Sequence, residues 1–164
     1  MKFTATLLAV RDMDRSLKFY KDLFGEEVIC DLGWNKTLTC GLTLQLNFDR
    51  IGGFPEEKMR FFNYDMELYF ETEDIDAFAE KLRAYPEVRY LNELMEHPWH
   101  QRVIRLFDPD GHIIEVGESM RSVAFREFGK GHTAEETAKI IQHPLQMVTG
   151  WYGEYQKRGE GTGR

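Results

Sequence analysis

The chain has 164 residues, 42% of them hydrophobic and 30% charged, with 5 prolines and a formal net charge of -7 at pH 7. That balance describes one ordinary folded domain and excludes a generally disordered or collagen-like chain, while the acidity opposes non-specific attraction to a phosphate backbone, so no nucleic acid partner is expected. No apolar run approaches the roughly 20 residues of a membrane span, and Arg11 and Asp12 interrupt the opening stretch before a signal-peptide core develops, so no membrane partner and a cytoplasmic location are expected.

Phe3 to Val10 is apolar and β-branched and reads as a strand. Met13, Leu17, Tyr20 and Phe24 then recur every three to four residues, behind Asp12 or Asp14 as N-cap and before Gly25 as a stop, which predicts an amphipathic helix. Three short β-like runs follow, Glu27 to Asp31, Lys36 to Cys40 and Leu42 to Phe48, separated by Gly33-Trp34-Asn35 and by Gly41. The unit is βαβββ. Cys30 and Cys40 lie in these runs without CxxC or zinc-like Cys/His spacing and are expected to be buried thiols. The stretch 49–65 contains Gly52, Gly53 and Pro55, has no sustained period, and reads as a linker.

The same order of events then repeats. A strand from Met66 to Thr72 precedes a helix from about Asp74 to Tyr85 with Ile75, Phe78, Ala79 and Leu82 inside. Strands at Val88 to Asn92, Arg102 to Phe107 and Ile113 to Gly117 complete the second unit, and the last two are joined by Asp108-Pro109-Asp110-Gly111, a strong type I turn signal. Superposing the units places Leu44-Gln45-Leu46 over Ile114-Glu115-Val116. From Ser119 the texture is helical: SMRSVAFREFG, then AEETAKIIQ behind a Thr133/Glu136 capping box, then Pro144 leading Leu145, Val148, Tyr152 and Tyr155. These helices either cover part of the sheet or sit on a second subunit, and the ending KRGEGTGR reads as frayed. The domain reading is therefore residues 1–118, with modules of about 1–48 and 66–118, followed by a helical extension over 119–164.

The opening VRDMDRSLKFYKDLFG, the two βαβββ units and the ending FDPDGHIIEVGE resemble the vicinal oxygen chelate superfamily, which contains glyoxalase I, bleomycin-resistance proteins and extradiol dioxygenases. The resemblance covers about residues 3–118. It implies an α+β fold in which two modules form a curled, cup-shaped mixed sheet around a small-molecule pocket, in a homodimer. It also implies a divalent metal in that cup, magnesium, manganese, nickel or zinc, at positions that fall here on Ala5, Gln45, Glu67 and Glu115. Ala5 has no lone pair, which leaves Gln45, Glu67 and Glu115, an oxygen set suited to hard cations. No nucleotide cofactor is expected, since GxGxxG and Walker loops are absent.

Alternation along Leu42 to Phe48 gives Thr43, Gln45 and Asn47 a common face, expected to be wet, and puts the apolar side chains on the other. Glu67 and Glu115 are expected to meet across the cup, held by a cation or with a raised pKa, unless Arg102 or Arg105 neutralises one of them in a structural ion pair. The cluster HPWHQR adds His97 and His100 as candidate acid/base groups, Trp99 and Arg102 as candidate substrate contacts, and stiffness from Pro98. Trp34, Gln45, Asn47 and Tyr69 are further substrate-contact candidates, and Glu115 is the leading catalytic carboxylate. His112 is expected to face solvent. Three functions are consistent with these residues: a glyoxalase-like lyase or isomerase, a non-catalytic small-molecule binder of the bleomycin-resistance type, and a dimerisation module without a ligand.

Overall fold

In the computed structural model, which describes residues 1–161 and the side chains of 1–158, the chain opens with β1 (Thr6–Ala9) and α1 (Met13–Phe24). Asp12 caps α1 by accepting from the Arg15 N–H at 3.1 Å. Gly25 ends it in the left-handed region, at φ 73°, where its N–H and that of Glu26 reach back to the carbonyls of Lys21 and Tyr20. Three strands complete the first module: β2 (Val28–Asp31), β3 (Asn35–Leu38) and β4 (Leu42–Gln45). The second module repeats the order with β5 (Glu67–Thr72), α3 (Ile75–Leu82), β6 (Arg89–Glu96), β7 (Arg102–Phe107) and β8 (Ile113–Glu118).

The predicted duplication is visible in the pairing. One four-stranded sheet runs β1-β4-β3-β2 and the other β5-β8-β7-β6, so equivalent strands take equivalent places. In the first sheet β1 pairs parallel to β4, with Leu8 opposite Leu44, and β3 pairs antiparallel to both β4 and β2. The architecture is α+β, two mixed sheets with helices.

The chain divides into two compact units: residues 1–68, 81–91 and 106–114, and residues 69–80, 92–105 and 115–164. In the first, Leu8, Tyr20, Leu23, Leu38 and Leu44 are buried, and each such side chain contributes about 1.5–3 kcal/mol by leaving water. The DPDG turn is tied into this core: Asp108 accepts from the Tyr20 hydroxyl at 3.0 Å, and Asp110 accepts from Arg15 at 3.1 Å. His112, expected in solvent, is half-buried with its Nδ1 2.8 Å from Asp108 Oδ2.

In the second unit the extension builds α4 (Met120–Gly129), α5 (Ala134–Ile140) and α6 (Leu145–Gly161). The Thr133/Glu136 capping box is present, and Val123, Phe128, Ala138, Ile141 and Val148 bury one another in a core of the helices' own. Among the described residues, no helix is long and apolar enough to cross a membrane.

Several expectations are corrected. β4 stops at Gln45, because Asn47 takes a left-handed conformation at φ 52° and α2 (Phe48–Gly52) begins immediately after it. The 49–65 linker therefore carries helical structure, including a 3-10 turn at Glu56–Lys58. Thr43 and Gln45 are not wet: both are buried, and Thr43 lies 3.2 Å from the Thr37 hydroxyl. Cys30 and Cys40 are exposed, Cys30 on the edge strand β2 and Cys40 in the turn after β3. α6 continues through Lys157 to Gly161 where fraying was expected, and residues 162–164 lie outside the described residues.

Candidate functional site

Within the second unit, the end of β5, the turn before β7 and the extension together line a cleft of about 420 Å³. β5 alternates, so Tyr69 and Glu71 share a side, while Phe70 takes the other. The segment between β6 and β7 closes tightly: the N–H of His97 bonds to the Gln101 carbonyl, the N–H of His100 bonds to the His97 carbonyl, and His100 sits at φ 65°. That turn holds Trp99 flat against His97, ring centroids 4.3 Å apart at 17°, and presents Gln101 beside it. Met120, Ile141, Gln142 and His143 supply the remaining wall.

One hydrogen-bonded chain runs along the cleft. The Trp99 indole donates to Gln101 Oε1 at 3.0 Å, the Gln101 amide donates to Tyr69 Oη and to the Glu118 carbonyl at 2.9 Å each, and the Tyr69 hydroxyl donates to Glu71 at 3.0 Å. Gly117 leaves the space for it: a Cβ there would lie 2.9 Å from both the Gln101 amide nitrogen and Tyr69 Oη. Burial, then the hydrogen bond and charge of Glu71, push the Tyr69 phenol up to about 12, so it stays a neutral donor throughout the physiological range. The cleft can therefore stack a flat group on aromatic surface and offer the carboxylate of Glu71 and the imidazole of His143 to its polar edge.

Of the expected substrate contacts, Tyr69 and Trp99 line this cleft, and His97 supports Trp99 from behind. Trp34 is 51% exposed in the β2–β3 turn of the other unit. Asn47 serves the backbone conformation before α2. Arg102 bridges Asp76 and the buried Glu118, with N–O distances of 3.0 and 3.1 Å. His100 turns to the buried Glu127, 3.0 Å away, which also binds Lys130 and His132. Burial opposes the charge on Glu127, but hydrogen bonds from Lys130 and His100 outweigh it and hold the carboxyl at about 2. Glu71, Gln101 and His143 were not singled out from the sequence as functional. Gln101 lay inside HPWHQR, and His143 precedes the helix-starting Pro144, but neither position carries a periodic signal.

The expected metal positions do not make a metal centre. Ala5 offers no donor. Gln45 is buried with its amide fully engaged: Oε1 accepts from Asn35 at 2.8 Å, and Nε2 donates to the Trp34 and Leu46 carbonyls at 3.1 and 2.7 Å. Glu115 is buried and ion-paired with Arg105, the structural alternative that the sequence left open. Glu67 is exposed on β5. Among the described residues, no group of three or more His, Cys, Asp or Glu side chains is placed to hold a metal ion. These residues do not fit a divalent cation, and no step is routed through one.

Residues 3–121 match the family described as a glyoxalase-like domain. The chain is similar to a protein of unknown function from Agrobacterium tumefaciens str. C58, at 33% identity and TM-score 0.62, over 73% of this chain and 94% of that one. A glyoxalase/bleomycin resistance protein/dioxygenase family enzyme from Burkholderia phytofirmans PsJN aligns at 14% identity and TM-score 0.62, over 70% and 96%. A lactoylglutathione lyase from Agrobacterium tumefaciens aligns at 24% and 0.56, over 72% and 93%. The last two likenesses establish the fold alone. No curated protein matches the chain.

Proposed function

The chain belongs to the glyoxalase-like domain family, and from that premise we propose that it binds a small, partly planar organic molecule in the Tyr69–Trp99 cleft without a resident metal. The observation that carries this function is the hydrogen-bonded Trp99–Gln101–Tyr69–Glu71 chain along an aromatic cleft, in a protein whose Glu115 carboxylate is held by Arg105. A flat ligand gains stacking on Trp99 and Tyr69, and a hydrogen-bond donor or cation on its rim gains the Glu71 carboxylate. A homodimer in the cytoplasm with no nucleic acid partner belongs to the same proposal. Binding is tested by titrating metal-stripped protein with a panel of planar amines and phenols while following tryptophan fluorescence. Saturable quenching that disappears in Trp99→Leu supports the function, and no saturable response to any compound refutes it.

A glyoxalase-like lyase or isomerase is the second reading, and the observation in its favour is that His143 and Glu71 line one cleft. An imidazole and a carboxylate on the same bound molecule can remove and return a proton next to a carbonyl. Deuterium incorporation from heavy water into a bound α-hydroxycarbonyl compound, lost in His143→Ala, separates such an enzyme from a binder.

A further inference from the structure

A second cavity, of about 540 Å³, opens in the first unit between α1, the segment leading into β6 and the end of β7. Its walls are mainly apolar, formed by Phe19, Leu23, Val88 and Phe107. That volume falls within the range of ordinary small-molecule sites. Nothing in the proposed cleft chemistry uses it.

The charges around it are unevenly satisfied. Lys18 is ion-paired with Asp22, Arg15 binds the buried Asp110, and Asp108 is bonded to Tyr20 and His112. Glu87 is exposed on the rim and acts on the Lys18 ammonium, helping Asp22 to raise its pKa. Arg89 is different: among the described residues it makes no ion pair, and its guanidinium stands 4.2 Å over the Phe62 ring and 5.6 Å over that of Phe107. Two rings hold it in place without answering its charge by a carboxylate, and a guanidinium fork matches carboxylate geometry.

We infer that this cavity is a second ligand site, for a small carboxylate with an apolar body, its head on Arg89 and its body between Phe19, Leu23, Val88 and Phe107. The arrangement resembles the division of labour in other small-molecule sites: apolar walls give affinity and one placed charge gives orientation. A charge-assisted bidentate contact should favour the acid over its neutral isostere by about tenfold or more.

The test uses 3-phenylpropanoate and its neutral analogue 3-phenylpropan-1-ol on the full chain, with calorimetry for affinity and amide chemical shifts for location. The expected result is saturable binding of the acid, with shifts in 15–23 and 87–89, affinity about tenfold weaker for the alcohol and for Arg89→Gln, only partial recovery in Arg89→Lys, whose ammonium keeps the charge but not the fork, and no change in Trp99→Leu. No saturable binding of the acid, equal affinity for acid and alcohol, or shifts confined to the Trp99 cleft would each overturn the site. The comparison of acid with alcohol on the unaltered protein decides the matter even if Arg89→Gln folds poorly.

Discussion

Arg105 on β7 closes onto the buried carboxylate of Glu115 on β8, so the acid that superposes on Gln45 in the internal repeat is neutralised by a cation from its own sheet. Breaking the pair from one side strands a buried charge, and such losses run to about 3–5 kcal/mol. Arg105→Met is therefore expected to lower the urea midpoint sharply, and adding Glu115→Gln should restore part of it. A double-mutant cycle checks this: coupling of about 1–3 kcal/mol is expected, and simple additivity would show that the two groups act independently.

Tyr69 should titrate late. With its phenol raised to about 12 by burial and by Glu71, the folded protein should keep Tyr69 neutral where an ordinary tyrosine, near 10, already ionises. Absorbance titration of the protein against Tyr69→Phe should show the missing phenolate step above pH 11, and a difference step near 10 would contradict it. Glu71→Gln should bring that step down.

Glu127 links the helical extension to the β6–β7 turn through His100, and its pKa sets a pH window. The folded value, about 2, lies below the ordinary 4.5, so the folded state keeps the carboxylate ionised where the unfolded chain takes up a proton. The resulting stabilisation is complete above pH 4.5 and is lost as pH falls toward 2. Glu127→Gln should cost about 1.5–3 kcal/mol at pH 7, with the difference narrowing steadily in urea melts between pH 4.5 and 2.5. A difference constant through that range would contradict the linkage.

Gly117 has no room for a methyl group without moving Gln101 or Tyr69. Gly117→Ala should cost about 1–3 kcal/mol and weaken cleft ligands by about tenfold, because the displaced amide can no longer join Trp99 to Tyr69. Unchanged affinity together with unchanged stability would mean the close approach is not needed.

The strand and helix signals that depend on near neighbours were legible in the chain. Asp12 and Gly25 bound α1 as their chemistry requires, Thr133 and Glu136 form the capping box of α5, and the repeat predicts two sheets with the same strand order. What depends on distant partners was not legible. Glu115 sits between Ile114 and Val116 whether it meets a cation or an arginine, and only the β7–β8 pairing brings Arg105 to it. Cys30 lies in an apolar run, yet β2 is the sheet edge and all four of its residues are exposed. The wall of the cleft comes partly from the extension, where Met120, Ile141 and His143 stand far in sequence from Tyr69, and no local pattern marks His143 as facing it.

The measurement that bears most directly on ligand binding without a metal is a paired thermal-shift and elemental analysis of the purified full chain. It should contain no stoichiometric magnesium, manganese, nickel or zinc, and its Tm should be unmoved by any of them, while a planar cleft ligand raises Tm in wild type and not in Trp99→Leu. A stoichiometric metal, with a metal-dependent rise in Tm abolished by Glu115→Gln, would contradict the account.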